Sequence, residues 1–128
     1  MCLLDEVLSW DAHCIVCASR SHLLKDNPLR SEDRLRAVCG VEYAAQAMAL
    51  HGALLSAEPI AAGYLVSIRN LKLNTRYLDE SEGVLTVAAK RLLGGAEGLV
   101  YEFTVSAETD TLLNGRATVS LFQGGNSK

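Results

Sequence analysis

The chain has 128 residues, the size of one ordinary domain, with 49% hydrophobic and 21% charged residues. Its formal net charge is −3, and no basic stripe stands out, which argues against a partner held through phosphates. No run of about 18 apolar residues is free of polar interruption, so no transmembrane helix is expected.

The opening, Met1-Cys2-Leu3-Leu4-Asp5-Glu6, carries acids where a signal peptide carries Lys or Arg, which predicts a cytoplasmic protein. Leu3 to Leu8 is a short strand or a turn, and Trp10 to His13 is a connection. Cys14 to Ser21 favours a strand, with Ile15 and Val16 at its centre. Cys14 and Cys17 form a CxxC. On a strand, residues three apart point to opposite faces, and no second CxxC or His pair completes a metal site. Buried small hydrophobes are the simpler reading of these cysteines.

Lys25 to Arg34 is the longest polar loop, with a turn signal at Asn27-Pro28. From Ala37 to Ala57 an Ala-rich segment with Leu and Met predicts one long helix. It is apolar nearly all round, which predicts a buried helix. Glu58-Pro59 ends it. Everything beyond reads as strands: Gly63 to Thr75, Gly83 to Leu93, Leu99 to Ser106 and Arg116 to Phe122. Gly94-Gly95 is a turn signal, and Asn114-Gly115 is either a tight turn or a bulge in a longer strand. The tail 124–128 is expected to be mobile. One or two strands, one long helix and then three or four antiparallel strands leave one sheet face for one helix to cover. A curved sheet wrapped around a central helix satisfies this, so the fold class is α+β, a single hotdog domain over 1–128. Ala44, Ala45, Ala47, Ala49 and Gly52 are small enough to let the sheet approach the helix.

Glu42 is the one charged side chain between Ala37 and Ala57. An ionised carboxylate in an apolar helix needs a partner, solvent or a function. The helix dipole favours its anion, and burial favours the neutral acid, so a carboxyl poised between them suits general acid–base work. The alternative is a first-turn Glu that stabilises the helix and points to water. Gln46, one turn on, lies on the same face. Gly40 stands where free helix-start N–H groups can receive a thioester carbonyl, or it only permits close packing. His22 borders the polar loop and is the candidate base; a lone loop His is also commonly solvated. His13 reads as a surface turn residue and His51 as a core or interface histidine. No nucleophile elbow, Walker loop or GxGxxG is present.

Gly40-Val41-Glu42-Tyr43-Ala44-Ala45-Gln46 resembles the central helix of the 3-hydroxyacyl-[acyl carrier protein] dehydratases, which carry Glu, two intervening residues and then Ala-Gln. Leu3 to Val7 is similar to the family's opening strand. Ser21-His22, Asp26 to Arg30 and Gly40 through Gly52 resemble a divergent branch, the dehydratase-like proteins of aryl polyene biosynthesis. The resemblance implies a dimeric hotdog enzyme that removes water from a β-hydroxyacyl thioester on an acyl carrier protein, leaving a trans-2-enoyl product and using no cofactor. In that family a His removes the C2 proton, a Glu from the facing subunit protonates the departing hydroxyl, and helix-start N–H groups polarise the carbonyl. It therefore implies Glu42 and His22 as catalytic residues and Gly40, Val41, Gln46 and Asn27 as substrate contacts. The family's His-Phe-Pro-Gly loop is missing here; a shorter loop with Asp33 and Arg34 stands in its place. Some relatives carry Pro-His just before the opening strand, and no such pair precedes Leu3, which leaves an upstream start open. Three readings follow: an active dehydratase, a non-catalytic subunit that binds acyl chains or pairs with an active dehydratase (as homodimer or heterodimer), and an acyl thioesterase in which Glu42 activates water.

Overall fold

The computed structural model describes residues 3–55, 62–94 and 99–122. The chain runs β1 (Glu6–Trp10), β2 (Cys14–Ser19), α1 (Gly40–Leu55), β3 (Ala62–Leu73), β4 (Leu85–Gly94), β5 (Leu99–Ala107) and β6 (Asp110–Phe122). The six strands form one sheet in the order β1-β2-β4-β5-β6-β3, with every neighbouring pair antiparallel. The expected helix-wrapped sheet is found, and α1 packs on β2, β4 and β5.

Period-two alternation explains the sheet face. Along β5, Leu99, Tyr101, Phe103, Val105 and Ala107 are buried, as are Leu85, Val87 and Ala89 of β4. Cys17 is buried beside Ile15, while Cys14 is only half-buried on the opposite face of β2. Asn114-Gly115 lies inside β6 and makes no tight turn; the β5–β6 turn falls at Glu108, whose φ is 56°. A side chain at Gly115 would put its Cβ 3.1 Å from the Phe103 ring, and β3 bulges opposite it between Arg69 and Lys72.

Two expectations are corrected. The first strand begins at Glu6, not Leu3. Leu3 and Leu4 instead run into the core, because the Leu3 backbone is bonded to side chains of α1 and β2 rather than to a strand. The central helix is not buried all round. Gly40, Tyr43, Ala44, Ala47, Met48, His51 and Gly52 form one buried stripe at helical spacing, while Glu42, Ala49, Ala53 and Leu54 are exposed. One sheet covers one stripe, and the other face stays apolar and open. The expected turn at Gly94-Gly95, the helix end at Glu58-Pro59 and the tail 124–128 lie wholly or partly outside the described residues. No helix among the described residues is long and apolar enough to cross a membrane.

Candidate active site

The polar loop after β2 builds one wall of the site. A 3₁₀ turn, Ser21–Leu23, opens it, and a second, Ala37–Cys39, leads into α1. Between them Arg30 donates from Nε to the Leu24 carbonyl and from Nη2 to the His22 carbonyl, at 2.7 and 3.1 Å. Asp79 anchors the far side: it accepts the Leu35 N–H at 3.1 Å and the Arg34 Nε at 3.0 Å. Partial burial alone would raise the Asp79 carboxyl; the Leu35 N–H and the Arg34 guanidinium together hold it below its usual range.

Glu42 stands in the first turn of α1 and is exposed, so the burial expected of it is not found in the single chain. Its carboxylate makes no ion pair or hydrogen bond with another described residue. Its position is therefore set by the backbone of the helix start. That start is packed tightly: Gly40 is buried, and a Cβ added to it would lie 2.6 Å from a methyl of Leu113. The expected role of Gly40 in close packing is thus realised, and its own N–H is taken up by the Ala37 and Val38 carbonyls of the 3₁₀ turn that leads into the helix.

His22 is fully buried. Its Nε2 donates to the Ser81 carbonyl at 2.7 Å, which leaves the Nδ1 lone pair pointing into the interior without a partner among the described residues. Burial pushes the imidazole below its usual value, and the Ser81 carbonyl only partly restores it. A ring in this setting ties the loop to the segment before β4. His51 is also buried. Its Nε2 donates to the Asp11 carbonyl at 2.8 Å, so its Nδ1 accepts from the Tyr101 hydroxyl at 2.7 Å. Arg91 completes that cluster by donating to the same hydroxyl at 2.9 and 3.2 Å. His13 is exposed in the β1–β2 turn, where its N–H meets the Asp11 carboxylate at 2.8 Å. His51 lies nine residues beyond Glu42, about 13 Å along the helix axis, and the Asp11 turn beside it carries His13. None of the hydrogen bonds described for the three histidines goes to Glu42.

Asn27 is buried and structural in its contacts: Nδ2 donates to the Ser21 carbonyl at 2.9 Å and to the Tyr43 hydroxyl at 3.1 Å. Gln46 accepts the Leu3 N–H at 2.7 Å. Down the same helix face, Gln46, Ala49 and Leu50 face Leu4 and Val7 across a groove of about 560 Å³. Sequence reasoning missed Tyr43 and Asp79. The signal for Tyr43 was a polar tip on the sheet-facing stripe of an apolar helix; for Asp79 there was none, since its partners lie more than forty residues away.

The profile of the ApeP-like family, described as ApeP dehydratase, matches residues 1–127. The chain belongs to the ApeP-like dehydratase family. Among solved structures it is similar to the dehydratase heterocomplex ApeI:P from Xenorhabdus doucetiae, with a TM-score of 0.82 and 19% identity over 95% of this chain and 84% of that one. It is also similar in fold to a thioesterase from Haemophilus influenzae (TM-score 0.69, 17% identity, 94% and 80% covered). A mutant thioesterase from Staphylococcus aureus gives a TM-score of 0.69 at 14% identity, with 91% of each chain covered. No curated protein gives a significant match. These neighbours establish the hotdog fold.

Proposed function

We propose that this chain is one subunit of a dehydratase that converts a 3-hydroxyacyl-[acyl carrier protein] thioester to the trans-2-enoyl thioester, in fatty acid or aryl polyene type biosynthesis. The observation that carries this is Glu42: a lone, exposed carboxyl in the first turn of an otherwise uncharged helix, on a face its own sheet leaves open. As the acid, Glu42 protonates the hydroxyl on C3; a base takes the proton from C2, the C2–H electron pair becomes the C2–C3 double bond, and the C3–O bond breaks to release water. The Val41 N–H at the helix start is the donor assigned to the thioester oxygen, since the Gly40 N–H is bonded to the Ala37 and Val38 carbonyls. The groove past Gln46, Ala49 and Leu50 offers an apolar place for the acyl chain.

The proton at C2 needs a base. His22 could serve only if the loop opened, since its ring is buried and hydrogen-bonded to Ser81. The base is therefore assigned to a second, different hotdog subunit facing Glu42. A second copy of this chain would carry the same two buried imidazoles, His22 and His51. The heteromeric dehydratase among the structural neighbours supports this pairing.

The test is turnover of a 3-hydroxyacyl carrier-protein thioester by this chain alone and with a co-expressed hotdog partner, followed by mass spectrometry of the carrier-bound product. Loss of one water in the paired sample, reduced about 10²-fold or more by Glu42→Gln, is the expected result. Unchanged turnover in the variant removes Glu42 from the chemistry and favours a non-catalytic, partner-supporting subunit. Release of free acid identifies a thioesterase.

A further inference from the structure

The first turn of α1 continues the 3₁₀ turn Ala37–Cys39, whose carbonyls accept the Gly40 N–H, so tertiary contacts place the two turns together. Glu42 gains no side-chain support of its own among the described residues. The residue after it, Tyr43, is fully buried, and its hydroxyl makes two hydrogen bonds, to Ser21 and Asn27. Ser21 Oγ donates to the Leu3 carbonyl at 2.8 Å, so the 2.7 Å contact between Ser21 Oγ and Tyr43 has the phenol donating. Asn27 Nδ2 then donates to the phenol oxygen at 3.1 Å. The Leu3 carbonyl also accepts from Ser19 at 2.5 Å, and the Leu3 N–H donates to Gln46 at 2.7 Å. The phenol oxygen thus joins Ser21 and Asn27 of the polar loop to the helix start, and Ser21 carries the connection on to Leu3.

We propose that Tyr43 is a positioning residue for Glu42: its hydroxyl clamps the loop of residues 21–36 to the first turn of α1 and so fixes where the acid is presented. The proposal rests on the dehydratase reading of Glu42. A carboxyl displaced by about 1 Å from its working position can lose up to about 10²-fold in rate. A phenol that only filled the core would show no such effect on removal of its oxygen.

The experiment uses the full chain with its partner subunit and compares wild type with Tyr43→Phe, Ser21→Ala and Ser21→Thr. Two readouts are taken: steady-state dehydration, and amide hydrogen exchange followed by mass spectrometry. Tyr43→Phe is expected to lower kcat about 10-fold or more with KM within about twofold, and to speed exchange in residues 22–36 and 40–43 while β4 and β5 stay protected. Ser21→Ala moves both readouts the same way, and Ser21→Thr restores them. Wild-type kcat in Tyr43→Phe, or unchanged exchange in those two segments, overturns the proposal. If the wild-type complex dehydrates nothing, the functional reading fails by itself. The exchange comparison then still decides the clamp, and equal protection in both proteins overturns it.

Discussion

Replacing Gly40 by Ala tests whether close packing holds the helix start. The backbone there is helical, with φ −60° and ψ −22°, so Ala meets no conformational strain. The obstacle is the space. The new Cβ would lie 2.6 and 2.9 Å from the two methyls of Leu113 and 3.3 Å from its Cγ. Leu113 is fully buried on β6, so its side chain has no solvent to swing into. Overpacking of this kind costs about 1–3 kcal/mol. Helix propensity returns up to about 1 kcal/mol for Gly→Ala in a helix interior, and less at the first residue. The net expectation is a loss of about 1–2 kcal/mol, or roughly 3–6 °C in Tm for a domain of this size. Urea unfolding with an unchanged slope is the assay, since a native-state clash shifts the midpoint and leaves the exposed area alone. Leu113→Val in the same background removes one methylene and should recover part of the loss, and that coupling is the signature of direct contact. A Gly40→Ala protein as stable as wild type, with no coupling to Leu113, would refute the idea that this approach fixes the first turn.

Two further outcomes follow from the buried histidines. His22 has its pKa lowered from the ordinary 6.5 by burial, so below that pH the unfolded chain takes up a proton the native ring does not. Its contribution to stability is full above about pH 6.5 and is lost as pH falls from there toward the depressed native value; His22→Gln, which keeps a donor for the Ser81 carbonyl, should flatten urea stability across that window, and an identical pH slope in the variant would show that His22 is not its source. His51→Phe keeps the volume but deletes the bonds to the Asp11 carbonyl and the Tyr101 hydroxyl. A loss of about 2–3 kcal/mol is expected from the unpaired groups, with turnover by the folded complex unchanged; equal stability would mean that the cluster with Arg91 is fully re-satisfied without the imidazole.

How legible the site was in the sequence depends on what each signal measures. Strict alternation in β4 and β5 and the Ala-rich run of α1 are local patterns, and the fold built from them is the one observed. The environment of His22 is set by Ser81, 59 residues away, and no local pattern encodes a hydrogen bond across that separation. The open face of α1 was hidden for a different reason. Hydrophobicity marks a position as avoiding water without saying which surface covers it, so a helix flanked by its own sheet and by a second subunit looks the same as one buried in a single core. Glu42 is where that ambiguity matters most. Read as buried, it is an unpaired charge in need of rescue; placed on the open face, beside Gln46 and Ala49, it costs nothing in the single chain. On the proposed pairing, its desolvation is incurred when the partner covers the helix. The proposed chemistry of the acid is then a property of the assembled pair, and the variant Glu42→Gln should change turnover of the pair without changing the stability of the single chain.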